Sequence, residues 1–381
     1  MVEDVWSGDE HRLLRETVRS FTEREIVPHL ATWERQGELP RELSRRAGEL
    51  GLLGAGWPEE AGGSGGDITH ASAVAEELIQ SGGSGGVCAS LFTHGIAVPH
   101  ILAAGDPDQI ERWVRPAVEG RLIGALAVTE PDAGSDVASL RTRAVRDGDH
   151  YVVSGAKTFI TSGARADFVT TAVRTGGDGH GGVSLLVLER GTPGFSVGRR
   201  LEKMGWLCSD TAELRFDEVR VPAANLVGAE GTGFLQIMRN FQAERIGIAV
   251  QAYATAQRCL DLALSWARQR EAFGRPLMAR QVIRHKLTEM ARQTDVAREY
   301  TRAVMARMLR GEDCVQQVSM AKNTAVMACD HVVNEAVQIH GGMGYMRESE
   351  VERHYRDSRI LGIGGGTNEI MNEIVARTMG L

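Results

Sequence analysis

Four short runs set the fold: Tyr151-Val152-Val153-Ser154, Phe168-Val169-Thr170-Thr171-Ala172-Val173, Val183-Ser184-Leu185-Leu186-Val187-Leu188 and Ala212-Glu213-Leu214-Arg215-Phe216. They are rich in β-branched residues and bounded by Gly, Asp and Pro, so they read as antiparallel strands and hairpins. Asp147-Gly148-Asp149 ahead of the first is a hairpin turn. On either side the texture is helical. Upstream, Ser7 and Glu10 have the spacing of a capping box. Behind them Leu13, Leu14, Thr17, Val18 and Phe21 keep helical spacing as far as Pro28. Residues 39–53 and 71–81 repeat the pattern, separated by glycine-rich breaks at 62–66 and 82–86. Downstream, long amphipathic runs cover roughly 233–270, 278–310 and 314–340. The pattern predicts a mainly α protein with a central β-domain: a helical domain over 1–120, an antiparallel β-domain over 121–230 and a helical bundle over 231–381.

Bulk properties narrow the function. The chain has 381 residues and a net charge of −7, which argues against nucleic acid as a partner, because phosphate binding needs a basic face. No apolar run approaches membrane-spanning length. The acidic start, Met1-Val2-Glu3-Asp4-Val5, lacks the apolar centre of a signal peptide. The five cysteines are scattered without a C-x-x-C pair, which predicts reduced, buried thiols in a cytoplasmic protein. The histidines form no zinc motif, so no metal is expected.

Several motif matches fail on context. Gly62–Gly66 and Gly82–Gly86 both match G-x-S-x-G, but neither follows a strand-like run as a nucleophile elbow requires. Gly177–Gly182 matches a dinucleotide fingerprint by letter, yet joins two strands instead of opening a helix. Asp295, Arg298 and Arg302 have the spacing of a solvated helix face.

Other stretches keep a chemical reading. In Leu361-Gly362-Ile363-Gly364-Gly365-Gly366-Thr367-Asn368-Glu369-Ile370-Met371, three consecutive glycines feed a helix N-terminus, where main chain can meet a ligand or a polarised oxygen. A plain glycine turn before a terminal helix explains the same letters. Leu126-Ala127-Val128-Thr129-Glu130-Pro131-Asp132-Ala133-Gly134-Ser135-Asp136 runs from a strand into a turn that offers hydroxyls and open amides. Gly155–Gly163 puts an aromatic, Phe159, before a hydroxyl at a strand end, either to flank a flat cofactor or to fill core. Glu244 lies three residues after Phe241, four before Ile248 and seven after Ile237, on an apolar helix stripe where a carboxylate would be desolvated. A helix-edge Glu paired with a nearby Arg fits that spacing equally well.

Taken in order, five segments give the chain a resemblance, over essentially its whole length, to the acyl-CoA dehydrogenase family of flavoproteins. They are Val128–Pro131 with Ala133–Asp136; Gly155–Thr161; Arg270-Glu271-Ala272-Phe273-Gly274 with Gln281; Gln338–Tyr345; and Gly366–Ile370. The resemblance implies a helical N-terminal domain, a β-domain and a C-terminal four-helix bundle. It also implies FAD between the last two, and a homotetramer. The flavin ring is expected against Leu126, Val128, Thr129, Gly134 and Ser135 on one side and Phe159, Ile160 and Thr161 on the other; most members have Trp at position 159. A neighbouring subunit is expected to meet the adenosine-pyrophosphate end through Arg270, Phe273, Gln281, Gln338, Ile339, Gly341 and Gly342. Thr367 and Glu369 match the remaining flavin contacts. Electron-transferring flavoprotein is the implied electron acceptor.

The family removes hydrogen from the α and β carbons of an acyl-CoA thioester, giving the trans-2-enoyl-CoA. A carboxylate takes the α-proton and flavin N5 the β-hydride. Most members carry Tyr-Glu-Gly-Thr in the C-terminal loop, and that Glu is the base. This chain has Gly364-Gly365-Gly366-Thr367 there. It is similar to the long-chain and isovaleryl-CoA branches, which place the base directly before a helix Arg. Glu244-Arg245 matches that position, so the resemblance implies Glu244 as base. It further implies substrate contacts at Ser135, Phe241, Arg245, Gly365 and Gly366, with the Gly365 amide on the thioester oxygen. Gly364 in place of Tyr implies a wider cavity near the acyl chain. Loss of the loop Glu also suits a non-catalytic acyl-CoA- or FAD-binding subunit, and a flavin oxidase or monooxygenase on the same fold is a third reading.

Overall fold

The computed structural model describes Trp6 and residues 8–381, so the Ser7 half of the expected capping box lies outside the described residues. The first helix, α1 (Asp9–Phe21), begins after Gly8, whose carbonyl accepts from the Arg12 amide. It is followed by α2 (Leu30–Gln36), α3 (Arg41–Glu49), α4 (Ile68–Gln80), α5 (Gly85–Leu91), α6 (His94–Ala97), α7 (Pro99–Ala104), α8 (Pro107–Gln109) and α9 (Arg115–Val118). Val18 and Phe21 are buried as the spacing predicts, but Leu13 is left on the surface. The 82–86 break is shorter than expected. Ser84 accepts from the Val87 amide and caps α5, and the next two glycines are helical. They are glycine because of close packing: a Cβ on Gly85 would lie 2.8 Å from Trp206 Nε1, and one on Gly86 2.9 Å from Cys208 Sγ.

The central sheet contains β1 (Gly124–Ala127), β2 (Arg143–Asp147), β3 (His150–Thr161), β4 (Phe168–Arg174), β5 (Val183–Glu189), β6 (Phe195–Arg200) and β7 (Thr211–Pro222). The β2–β3 hairpin turns at Gly148-Asp149 as expected, with Gly148 at φ +61°. The sheet is mixed, however, and not wholly antiparallel. β1 pairs in parallel with β4, from Gly124 opposite Phe168 to Ala127 opposite Thr171. The connection between those two strands runs through the whole β2–β3 hairpin, and a long crossover permits parallel pairing that a tight turn forbids. β4 and β5 are buried along nearly their whole length. Phe168, Ala172, Leu185 and Val187 face one apolar core, shared with α6–α9. Val169, Val173, Leu186 and Leu188 face another, shared with β3 and β7. Burial on both faces explains their unbroken apolar runs.

The C-terminal region is built on α10 (Gly233–Gln269), α11 (Gln281–Leu309) and α12 (Val315–His340). Between α10 and α11 is a minimal hairpin of β8 (Glu271–Ala272) and β9 (Arg275–Pro276). Helices α13 (Glu350–Ser358) and α14 (Asn368–Met379) complete the region, α14 lying against α12. One core joins this bundle to the first helices: Val18, Phe21, Val74 and Leu78 pack in the same cluster as Val250, Tyr253, Val326 and Val333. Arg302 is not on a solvated face as its spacing suggested. It is partly buried beside Glu76, which also takes hydrogen bonds from Arg15 and the Tyr253 hydroxyl. Four helices, α1, α4, α10 and α11, meet at that one buried carboxylate.

Candidate active site

The C-terminal glycines form a turn fixed by two cations. Helix α13 leads into it through residues 359–362, and the Ile363 and Gly364 amides both bond to Ile360 O. Gly365 at φ +63° and Gly366 at φ +97° need the left-handed region that glycine tolerates. Arg245 Nε donates to Gly365 O at 3.1 Å, and Lys322 Nζ donates to Gly366 O at 2.6 Å. Both cations are buried. The Gly365 and Gly366 amides have no acceptor among the described residues. They are the free donors that the triple glycine predicted. Thr367 then caps α14, its hydroxyl accepting from the Ile370 amide at 3.3 Å. Glu369 sits exposed in the first turn.

Glu244 faces this turn. A Cβ placed on Gly365 would lie 3.5 Å from Glu244 Oε1 and 2.6 Å from Ile248 Cδ1. Main chain can therefore come this close only as glycine. Glu244 is half-buried and has no hydrogen bond or ion pair among the described residues. The reading in which it pairs with a neighbouring Arg is not the geometry found, since Arg245 is turned to Gly365 O. Burial pushes the Glu244 carboxyl up to about 7, against the opposing pull of Arg245 and Lys322. Burial likewise brings Lys322 down to about 8, with Arg245 acting in the same direction. Lys322 escaped the sequence reading. Its only signal is a charged residue on the apolar stripe of Val318, Ala325, Val326 and Cys329.

The β-domain supplies the opposite wall. Phe241, one turn before Glu244, packs in the same core as Leu126 and Val128 at the end of β1, which brings α10 against that strand. The turn beyond β1 leaves Gly134 and Ser135 exposed, and a Cβ on Gly134 would meet only Thr129 Cγ2, at 3.9 Å. Phe159 sits where the β3–β7 register shifts, at φ +59° and 67% exposed, with Ile160 buried beside it and Thr161 half-buried. The core-filling reading of Phe159 is excluded, because its ring stands out of the sheet. A buried pair braces these two segments. Lys157 Nζ donates to Val128 O at 2.9 Å and to Glu130 Oε1 at 2.8 Å. Glu130 also accepts from the Arg141 and Thr142 amides, and the Thr158 amide donates to Thr129 O. Burial opposes both charges: Lys157 falls to about 8, whereas Glu130, despite burial, is held below the usual range mainly by Lys157. Sequence reading passed over the Lys157–Glu130 pair, since pairing across 27 residues leaves no local pattern.

A third group lies apart. Arg270 is 26 residues beyond Glu244 along α10, roughly 39 Å at 1.5 Å per residue. Phe273, 95% exposed, and Gln281 at the start of α11 share that end of the bundle. Gln338, Gly341 and Gly342 at the end of α12 are exposed, and Ile339 is buried. A groove of about 460 Å³ between α11 and α12, lined in part by Gln281, His285 and Glu335, opens beyond them. The single chain does not bring these residues to Glu244.

Comparison with known proteins gives a consistent picture. Three family models match in sequence: the acyl-CoA dehydrogenase N-terminal domain at residues 8–121, the middle domain at 125–219 and the C-terminal domain at 231–380. An acyl-CoA dehydrogenase of Bacillus subtilis is 39% identical over 369 residues, covering 97% of this chain and 97% of that protein. The mitochondrial long-chain specific acyl-CoA dehydrogenase of Sus scrofa is 39% identical over 374 residues, covering 97% of this chain and 86% of that protein. The crystal structure of a probable acyl-CoA dehydrogenase from Mycobacterium abscessus superposes with a TM-score of 0.98 at 71% identity, covering 99% of this chain and all of that one.

Proposed function

The chain belongs to the acyl-CoA dehydrogenase family, whose members are FAD flavoproteins, and from that premise we propose that it converts an acyl-CoA thioester to the trans-2-enoyl-CoA with Glu244 as the base. The observation that carries the base assignment is the placement of Glu244: a half-buried carboxylate, without a hydrogen-bond partner, 3.5 Å from the Cβ position of Gly365.

The residues present fit the cofactor. Phe159 offers an exposed ring face, and the open main chain at Gly134 and the hydroxyls of Thr129 and Ser135 lie on the facing turn. Bound FAD would supply the acceptor for the β-hydride. Arg270, Phe273, Gln281, Gln338, Ile339, Gly341 and Gly342 would hold its adenosine-pyrophosphate end from a second copy of the chain, because the length of α10 separates them from Glu244 in their own. That reading makes the working enzyme an oligomer, a homotetramer by the family resemblance. Electron-transferring flavoprotein is the proposed acceptor of the electrons.

The protein's own part is to make an α-carbon acidic. An α-C–H next to a thioester is a weak acid until the developing enolate oxygen is stabilised. The unpaired amide of Gly365 is the donor for that oxygen, and Arg245 and Lys322 fix the turn that presents it. The Gly365 carbonyl that Arg245 binds shares its peptide unit with the Gly366 amide, so that cation polarises the Gly366 N–H as a donor. Glu244, with its proton affinity raised to about 7, is a strong enough base to accept the α-proton and becomes increasingly ionised as pH rises above neutrality. A side chain on Gly365 would fill the space between the turn and Glu244, its Cβ 2.6 Å from Ile248 Cδ1 and 3.5 Å from Glu244 Oε1.

The test is anaerobic reduction of the bound flavin by a panel of acyl-CoA thioesters. The wild-type protein should lose its oxidised-flavin absorbance with at least one of them. Glu244→Gln should keep its FAD and lose reduction by about 10³-fold or more, the scale on which removing a positioned base acts. Undiminished reduction in that variant would refute the assignment.

A further inference from the structure

We propose that the first turns of α1 are latched onto the start of α4 by two neutral histidines, His11 and His70, and that the latch opens when these rings take up protons below neutral pH. The latch does not depend on the chemistry at Glu244. A chain of hydrogen bonds fixes where each proton sits.

Asp67 is the N-cap of α4. Its Oδ1 accepts from the Thr69 amide at 2.8 Å and from the Thr69 hydroxyl at 2.6 Å. Against burial, which opposes the charge, these bonds from Thr69 hold Asp67 below the usual carboxylate range. The single hydroxyl proton of Thr69 is thus committed to Asp67, and its oxygen can only accept from elsewhere. His11 Nε2 lies 2.8 Å from that oxygen, so Nε2 carries the proton of the His11 ring and donates it. On the other side of the cap, the Asp67 amide donates to His70 Nδ1 at 3.2 Å. His70 therefore stands where a capping box ordinarily has Glu or Gln. Its Nδ1 must be bare, which leaves the proton on Nε2, 3.6 Å from Glu10 Oε2.

The two rings face each other with centroids 4.2 Å apart and planes tilted by 32°. Imidazole is the side chain that charges between about pH 5 and 8. A second proton on His70 must go to Nδ1, where it displaces the Asp67 amide and breaks the capping box. The acceptor nearest to it there, Asp67 Oδ1 at 3.4 Å, is already engaged by Thr69. A second proton on His11 sets two like charges ring to ring, beside Arg15 of α1. Glu10 opposes them from an exposed position, where solvent screens it. Glu59, in the loop before α4, lies over Gly65. That loop also closes on the ring: a Cβ on Gly66 would lie 2.7 Å from His70 Cγ. Burial, followed by His70 and Arg15, holds His11 below its ordinary 6.5. A ring that binds its proton less well folded than unfolded leaves stability complete above 6.5 and diminishing as pH falls below it.

The opening is bounded. Further along α1, Arg15 and Arg19 reach Glu76 and Glu77 of α4, and Val18 and Phe21 are buried in the bundle core. Those contacts contain no histidine, so the end of α1 stays anchored while its start lifts. Trp6, its ring 4.9 Å from Arg302 Cζ, lies at the lifted end, and its departure uncovers the Arg302–Glu76 pair.

Hydrogen exchange of the FAD-loaded protein, read by mass spectrometry, tests the latch. Protection factors, corrected for the intrinsic pH dependence of exchange, are compared at about pH 8 and about pH 5.5, either side of imidazole titration. In the wild type, amides 12–16 and 69–72 should lose at least 10-fold in protection at the lower pH, with amides 250–260 of α10 unchanged. His70→Gln keeps an oxygen acceptor for the Asp67 amide at every pH, so the loss should shrink below 3-fold. His11→Gln keeps a donor for Thr69 and removes the facing charge, so its loss should be smaller than the wild type's. Flavin absorbance checks that each variant is folded. A loss below 3-fold in the wild type, or an undiminished loss in either variant, would overturn the proposal.

Discussion

At the residue scale the site turns on one carboxylate and two cations. Glu244 holds its proton up to about 7 because burial outweighs Arg245 and Lys322. As the proposed base, Glu244 works when deprotonated, so the rate of flavin reduction should rise with pH through about 7 and level off above it. The sign for stability is the reverse. A carboxyl whose folded pKa is raised above the unfolded 4.5 contributes stability that is fully present below 4.5 and is lost as pH rises through about 7. Lys322 lowers the Glu244 pKa, so Lys322→Met should move the rising limb of the pH–rate profile to higher pH. A limb that stays in place or moves to lower pH would show that Lys322 does not act on Glu244. Helical spacing put Glu244 on an apolar stripe and left its pairing open, because spacing fixes a face and not a partner. Only the fold brings Gly365 O to Arg245 and leaves Glu244 free. Lys322 illustrates the other limit: its partner is 44 residues away, and nothing near it in sequence announces the contact.

At the scale of elements, the wall proposed to face the flavin depends on how the end of β1 is tied to β3. Lys157 and Glu130 are buried together, and Glu130 accepts two further amides from the segment leading into β2. Removing one partner strands a charge in the interior, which costs about 3–5 kcal/mol. Lys157→Met should therefore destabilise the protein by that order in urea unfolding and lower its FAD content. Lys157→Met combined with Glu130→Gln should be less destabilising than the two single changes added together. Strict additivity would mean the pair does not couple the two strands. The strands themselves were legible, since β4 and β5 are continuous apolar runs and the β2–β3 turn is an Asp-Gly-Asp hairpin. The parallel β1–β4 pairing was not, because pairing direction depends on the path of the connection and not on the composition of either strand. The long helices were read to within a few residues, from periodicity sustained over many turns.

At the scale of the whole molecule, α10 spans the distance between two clusters of site residues, and no rearrangement short of breaking it would join Glu244 to Arg270 in one chain. Phe273, nearly fully exposed on a two-residue hairpin, and the polar ends of α11 and α12 form a surface suited to a ligand shared with another copy. Phe273→Asp should lower both the oligomer mass, by light scattering, and the FAD content; loss of neither would argue against a shared cofactor site. A cofactor site shared between copies is what the motif resemblance implies; composition and periodicity carry no trace of it. The most direct measurement on the base itself is solvent exchange of the α-protons of a β-sulfur acyl-CoA analogue, which can lose an α-proton but has no β-hydride to give. Followed by NMR in deuterated buffer, exchange should be fast in the wild-type holoenzyme and about 10³-fold slower in Glu244→Gln with FAD still bound. Exchange at the wild-type rate in that variant would contradict Glu244 as the base.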